Sequence, residues 1–222
     1  MIHSPLETAI VLHIGIIPIS RTVVTTWALI ATLTVACWIA TRSFRVVPGG
    51  WQAMIETVVV GIEEQIAALL NRDAAPFLPL LGTIFIFLVV ANLCGLVPGL
   101  TAPTASIETP AALAAIVFLS VHFYGVRIRG LGAYLRGYLK PNPVMLPFNI
   151  LSELTRSFSL AMRLFGNIMS EELVVAIVLA LAGLLVPIPF MAFGILVGLV
   201  QAYIFSVLAA VYIGGGIGTL EK

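Results

Sequence analysis

Charge is what this sequence has least of. Of its 222 residues, 9% are Asp, Glu, Lys or Arg and 60% are apolar, with a mean hydropathy of +1.13; an ordinary soluble domain carries roughly 25% charged residues. A chain so poor in charge cannot present a water-facing surface all round, so its solvent is the lipid bilayer. The formal net charge is only +1, and the clustered basic surface that phosphate backbones require is missing, which excludes nucleic acid as a partner. Cysteine is scarce as well. Cys37 and Cys94 stand alone in apolar runs, without a CxxC or a nearby His, and read as small buried hydrophobes. No metal, redox group or other cofactor is expected.

Other absences narrow the function. There is no GxxxxGK[ST] nucleotide cradle and no nucleophile-base set, so the chain is not expected to be an enzyme in its own right. No repeat of fixed period and no low-complexity tract occurs, and no matching pair of broken helices of the kind found in secondary transporters. Met1 to Ser20 carries His3, Glu7 and His13 and lacks the basic start of a cleaved signal. A retained first span is the expectation, in a bacterial or organelle-encoded membrane protein.

What the sequence does have is long apolar runs, each near the roughly 20 residues that cross a bilayer. The first spans about Val23 to Ala40, flanked by Arg21, Arg42 and Arg45. From Gly50 to Leu70 the pattern changes: Trp51, Met54, Ile55, Val58, Ile62, Ile66 and Leu69 recur at helical spacing, while Glu56, Glu63, Glu64 and Gln65 cluster elsewhere. That predicts an amphipathic interfacial helix. Further spans are expected over about Phe77 to Leu96, with Asn92, and about Ala111 to Val126, with His122. Val144 to Gly216 reads as one long helical stretch broken at Pro187 and Pro189 into a hairpin.

The fold class is therefore all-α and polytopic: one integral-membrane domain over residues 1–222, with about five crossings plus the interfacial helix. The connection from Pro98 to Thr109 has Glu108 but no Lys or Arg, whereas the next holds Arg127, Arg129, Arg136 and Lys140. By the positive-inside rule the second is cytoplasmic, which puts the N-terminus outside and the C-terminus inside.

The chemistry concentrates in Pro147 to Glu172, where polar and charged side chains sit on a helix that runs directly into an apolar stretch. An Arg at the centre of a span costs roughly 2.5 to 3.5 kcal/mol on insertion scales, so it usually faces a cavity or a partner. At 100° per residue Arg156, Ser159, Arg163, Gly166, Asn167 and Ser170 share a stripe, with Glu172 nearly opposite Arg163. Two readings of Arg163 stay open: a functional charge, or a surface residue that snorkels or pairs with Glu171 or Glu172. In the last helix Gly194, Gly198 and Gln201 share one face. Gln201 either bonds across to Arg163 or is incidental to a packing surface of small residues. His122, alone in an apolar span, reads as a packing residue and stays outside the expected site.

The run Arg163-Leu-Phe-Gly-Asn followed by Glu172-Leu-Val, with Val200-Gln201-Ala202-Tyr203-Ile204-Phe205 in the last helix, resembles the signature of subunit a of the F-type ATP synthases. The likeness extends back through Leu146-Pro-Phe-Asn-Ile-Leu and Ala102-Pro-Thr to cover roughly Leu80 to Ile213. It implies an ion-carrying stator subunit of the membrane (Fo) sector, whose partners are a ring of rotor c subunits, peripheral-stalk b subunits and the rest of the synthase. It implies that Arg163 faces the rotor carboxylate, that Gln201 lies beside it, and that Asn167 and Glu172 line aqueous access paths. Glu153 matches an acidic position of the chloroplast-like forms; a solvated carboxylate at the helix entry explains it nearly as well. One departure stands out: after Ala-Pro-Thr the chain reads Ser106-Ile107-Glu108 where many members have Asp-Ile-Asn. Either Glu108 replaces the missing Asp of the outer path, or it is a solvated loop residue. Protons are the expected ion, with sodium the alternative. A transporter acting alone and a purely structural scaffold are the competing classes.

Overall fold

In the computed structural model, the described residues are 10–14, 17–42, 44–45, 49–95, 102–139, 143–183 and 186–218. His3, Glu7, Leu96, Pro98 and Lys140, which enter the expectations above, lie outside them. Among the described residues, seven α-helices follow a short antiparallel hairpin of strands β1 (Ile10–Ile14) and β2 (Ile17–Ser20). The helices are α1 (Arg21–Thr41), α2 (Gly50–Leu70), α3 (Leu78–Cys94), α4 (Glu108–Arg129), α5 (Leu131–Leu139), α6 (Leu146–Ala182) and α7 (Pro187–Ile217). Four of them, α1, α4, α6 and α7, are long and apolar enough to cross a membrane. The fifth expected crossing, α3, is apolar but has 17 residues, the lower end of the range that spans.

Local chemistry sets the boundaries. Ser20 caps α1, its hydroxyl accepting the Val23 N–H at 3.4 Å. Asn71 closes α2 at φ 48°, in the left-handed region that Asn tolerates better than most residues. Pro147 and Pro187 stand in the first turns of α6 and α7, where a missing N–H costs nothing. The break in the last third falls earlier than the prolines alone indicate: α6 ends at Ala182, capped by Gly183 at φ +79°, and Pro187 already belongs to α7. Pro189 lies within the first turn of that helix and breaks nothing. The short helix α5 was not anticipated, because its nine residues carry too brief a pattern to separate from a loop.

The interior lies where α3, α4 and α7 meet, filled by Leu81, Leu88, Val117, Phe205 and Ile213. α6 joins this core through one face only, Leu160, Leu164 and Ile168. Polar ties hold the periphery: Thr26 and Thr109 hydroxyls lie 3.3 Å apart between α1 and α4, Tyr124 Oη donates to Pro76 O at 3.0 Å, and Tyr203 Oη donates to Gln65 Oε1 at 3.3 Å between α7 and α2. Large apolar side chains face outward instead of inward, among them Trp27, Trp38, Trp51, Phe158 and Phe193. That is the surface of a protein dissolved in hydrocarbon.

Close helix approach depends on missing side chains. At Gly216 of α7 a Cβ would lie 2.8 Å from Val121 Cγ1 and 3.2 Å from Val121 O on α4, whereas at Gly61 of α2 nothing lies within 4 Å. Gly216→Leu should therefore destabilise the folded chain by about 1–3 kcal/mol through overpacking. Gly61→Ala should leave it unchanged or gain up to about 1 kcal/mol from helix propensity. Denaturant titration of the purified chain in detergent micelles checks both.

Candidate functional site

Arg163 occupies the middle of α6. From the helix ends at Leu146 and Ala182 it is separated by about 26 Å and about 29 Å at 1.5 Å per residue, too far for its side chain to reach either end. Its guanidinium is exposed on the outer face of the helix, and no described residue bonds it. The same face carries Arg156, Ser159, Asn167 and Ser170, all exposed, while Leu160, Ala161, Leu164 and Ile168 turn into the protein. The helix thus presents a polar stripe outward from an otherwise apolar surface, as its periodicity predicts.

Gln201 lies beneath this stripe, 3% exposed. Its Oε1 accepts a hydrogen bond from Asn167 Nδ2 at 2.7 Å. The amide therefore reaches the residue one turn beyond Arg163 and not Arg163 itself. The bond joins α6 to α7 and satisfies a buried acceptor that would otherwise cost about 1–3 kcal/mol.

Two cavities flank Arg163 along α6. One, of about 270 Å³, is lined by Glu153, Arg129, Arg156, Asn149, Tyr134 and Tyr212, with Ser152 and Ser157. It shares Ser152, Arg156 and Tyr212 with an open groove that runs on to Ser159, one turn before Arg163. The other, of about 310 Å³, is lined by Glu171, Glu172, Asn92, Gly95, Ala102, Gly194 and Gly198 among others. Glu153 and Glu172 lie ten and nine residues from Arg163, about 15 Å and about 14 Å along the axis in opposite directions.

Each carboxylate has its own setting. Glu153 Oε1 lies 3.8 Å from His122 Nδ1 across α4 and α6, and that nitrogen also sits 2.8 Å from the Phe118 carbonyl. A carbonyl only accepts, so Nδ1 carries a proton. Glu172 shares its cavity wall with Ala102, whose backbone N–H is turned toward the carboxylate. Glu171 occupies the space beside Gly194, where a Cβ would collide with its carboxylate. Glu108, exposed in the first turn of α4, takes a hydrogen bond from Ser20 Oγ and is not part of either cavity.

The structure brings together Asn167 and Gln201, sets Arg163 one turn away, and places Glu153 and Glu172 in separate cavities. Glu108 stands apart from all of them, tied to the start of α1. Sequence reasoning did not anticipate the pairing of His122 with Glu153, the fit of Glu171 over Gly194, or the bonding of Asn92. Only the spacing of Gly194 and Gly198 offered a signal, since it marks a close helix approach.

The sequence matches known proteins over nearly its whole length. Residues 23–214 match the family model described as ATP synthase A chain. A protein of Bradyrhizobium sp. named ATP synthase subunit a 2 is 58% identical over 219 residues, 99% of this chain and 98% of the relative. ATP synthase subunit a 1 of Hahella chejuensis is 50% identical over 209 residues, covering 94% and 89%. ATP synthase subunit a 1 of Chlorobaculum parvum is 40% identical over 222 residues, covering 99% and 98%. The chain belongs to the ATP synthase A chain family, and is a non-catalytic, multi-pass membrane subunit of the Fo ion-transporting sector.

Proposed function

We propose that this chain provides two aqueous half-channels and a fixed charge, Arg163, that together couple ion flow to rotation of a ring of c subunits. The observation that carries the reading is a guanidinium with no partner among the described residues, at the middle of a long apolar helix and exposed on its outer face between two cavities that each hold a carboxylate. A rotor carboxylate crossing lipid must be neutral, loaded with an ion, because its charged form meets the desolvation penalty of hydrocarbon. Near Arg163 the preference reverses: the positive charge favours the ionised carboxylate, so the ion leaves into one cavity and the next site reloads from the other.

In this reading Arg163 faces the ring and bars a direct leak between the half-channels. Gln201 and Asn167 hold the adjoining turn while leaving the guanidinium its charge. Glu172 serves the outer path and Glu153 the inner, the side of Arg129 and Arg136. Glu108, held by Ser20, takes the place of the missing Asp at the outer entrance. The whole chain acts as one membrane domain in the bacterial inner membrane, N-terminus outside and C-terminus cytoplasmic. The amphipathic α2, with Trp51 and Met54 exposed, offers a surface for the b subunits of the peripheral stalk. Protons are the coupling ion of this proposal. One elementary charge crossing 100 mV releases about 2.3 kcal/mol, so several ions accompany each ATP.

ATP-driven ion uptake by inverted vesicles, at matched subunit assembly and with or without sodium, tests the core of this. Arg163→Ala should abolish uptake; unchanged rate and tightness would overturn the role of Arg163. Uptake that requires sodium would replace the proton as the ion. Gln201→Leu should leave ATP hydrolysis largely intact but lower ions moved per ATP, because Asn167 loses its acceptor and the turn beside Arg163 loosens. Simultaneous hydrolysis and uptake assays read that ratio. Glu108→Gln and Ser20→Ala should each slow gradient-driven ATP synthesis several-fold, and a rate equal to that of the unmodified chain for both would remove Glu108 from the path.

A further inference from the structure

A primary amide inside an apolar helix is costly unless both of its ends are bonded, and in Asn92 of α3 both are. Its Nδ2 donates to the Gly198 carbonyl of α7 at 2.8 Å, and its Oδ1 accepts from Thr104 Oγ1 at 2.8 Å. Thr104 is 0% exposed and belongs to the 3-10 turn Pro103–Ala105. Gly198 permits the approach, since a Cβ there would stand 3.0 Å from Asn92 Cβ. Ala102, at the start of the turn, is buried against Gly95 at the end of α3 and lines the outer cavity together with Glu172, its N–H turned toward that carboxylate.

These contacts form one chain of support from α7 to the carboxylate. The Gly198 carbonyl has a second lone pair, so it accepts from Asn92 without leaving its own helix ladder. Gly198 is three residues before Gln201 and therefore on nearly the same face of α7, so Asn92 also fixes the rotation of the turn that carries Gln201.

We propose that Asn92 and Thr104 are positioning residues for Glu172: the Asn92 amide clamps the Pro103–Ala105 turn to α7 and so holds the Ala102 N–H against that carboxylate. One backbone donor facing the carboxylate then favours one direction for it and leaves its lone pairs open to ions in the cavity. This rests on the reading that Glu172 lies on the outer ion path. Without the clamp the turn moves away, Glu172 rotates freely, and ion capture from that side weakens while the remainder of the cycle is untouched.

The test uses the whole synthase in proteoliposomes, with ATP synthesis driven by an imposed gradient. Rate is measured against the concentration of the coupling ion, proton or sodium, in the compartment facing Glu172, and separately in the opposite one. Asn92→Leu and Thr104→Val should raise the half-saturating concentration on the Glu172 side about three- to tenfold, the size expected for one lost buried hydrogen bond. The maximal rate and the dependence on the opposite side should not change. The double variant should shift no further than Asn92→Leu alone, because both act through one bond. Thr104→Val retains the side-chain outline and decides the matter if Asn92→Leu does not assemble. Glu172→Gln is the reference. If it leaves synthesis unchanged, the path reading fails and takes the clamp with it. If it impairs synthesis while the clamp variants do not shift the half-saturating concentration, or shift both sides equally, the clamp is merely structural and the proposal is overturned.

Discussion

An arginine at the midpoint of a long apolar helix, with no counter-charge among the described residues, is the constraint from which the build of α6 and its neighbours can be understood. A carboxylate beside Arg163 would neutralise it, and an apolar shell would expel it. α6 avoids both by lining the same face with hydroxyl and amide groups and keeping Glu171 and Glu172 on other surfaces. The helix is long enough to put its midpoint far from either end. It is also anchored by one narrow face, Leu160, Leu164 and Ile168, which fixes its rotation and so the direction in which the guanidinium points.

α7 supplies the other half of that arrangement. Its small residues allow α3, α4 and α6 to come near, and each vacancy admits something particular: the Asn92 side chain at Gly198, Val121 at Gly216. Where lipid surrounds a protein there is little hydrophobic force between helices, so association depends on such contacts and on interhelical hydrogen bonds. The buried bond between Asn167 and Gln201 therefore serves packing and site alike. It defines the register of α6 on α7 and settles which residues flank the charge.

The fold was largely legible in the sequence because hydropathy and charge act locally along the chain. α2 runs from Gly50 to Leu70 as its amphipathic period indicates, and the spans fall where the apolar runs are. Two elements escaped notice for lack of length, the hairpin of β1 and β2 and the helix α5. The turn after α6 depends on the positive φ of Gly183, whereas prolines tolerated in a first turn had drawn attention downstream. The site was legible as a set of residue types on one stripe, not as a set of partners. Gln201 could reach either Arg163 or Asn167 by spacing, and only the rotation of α7 against α6 decides between them. His122 is the packing residue its apolar span indicates, bonded to the Phe118 carbonyl and set against the Phe118 and Tyr134 rings; its nearness to Glu153 depends on a connection whose course no local pattern specifies.

The fit of Glu171 over Gly194 ties the direction of a charge to the size of a neighbour. Glu171 Oε1 lies where a Cβ at 194 would stand, so the glycine gives that carboxylate a resting place on α7. A small side chain at 194 turns the flexible carboxylate aside without parting the helices, so an exchange at that position redirects a charge at the seam of α6 and α7 at little cost in packing.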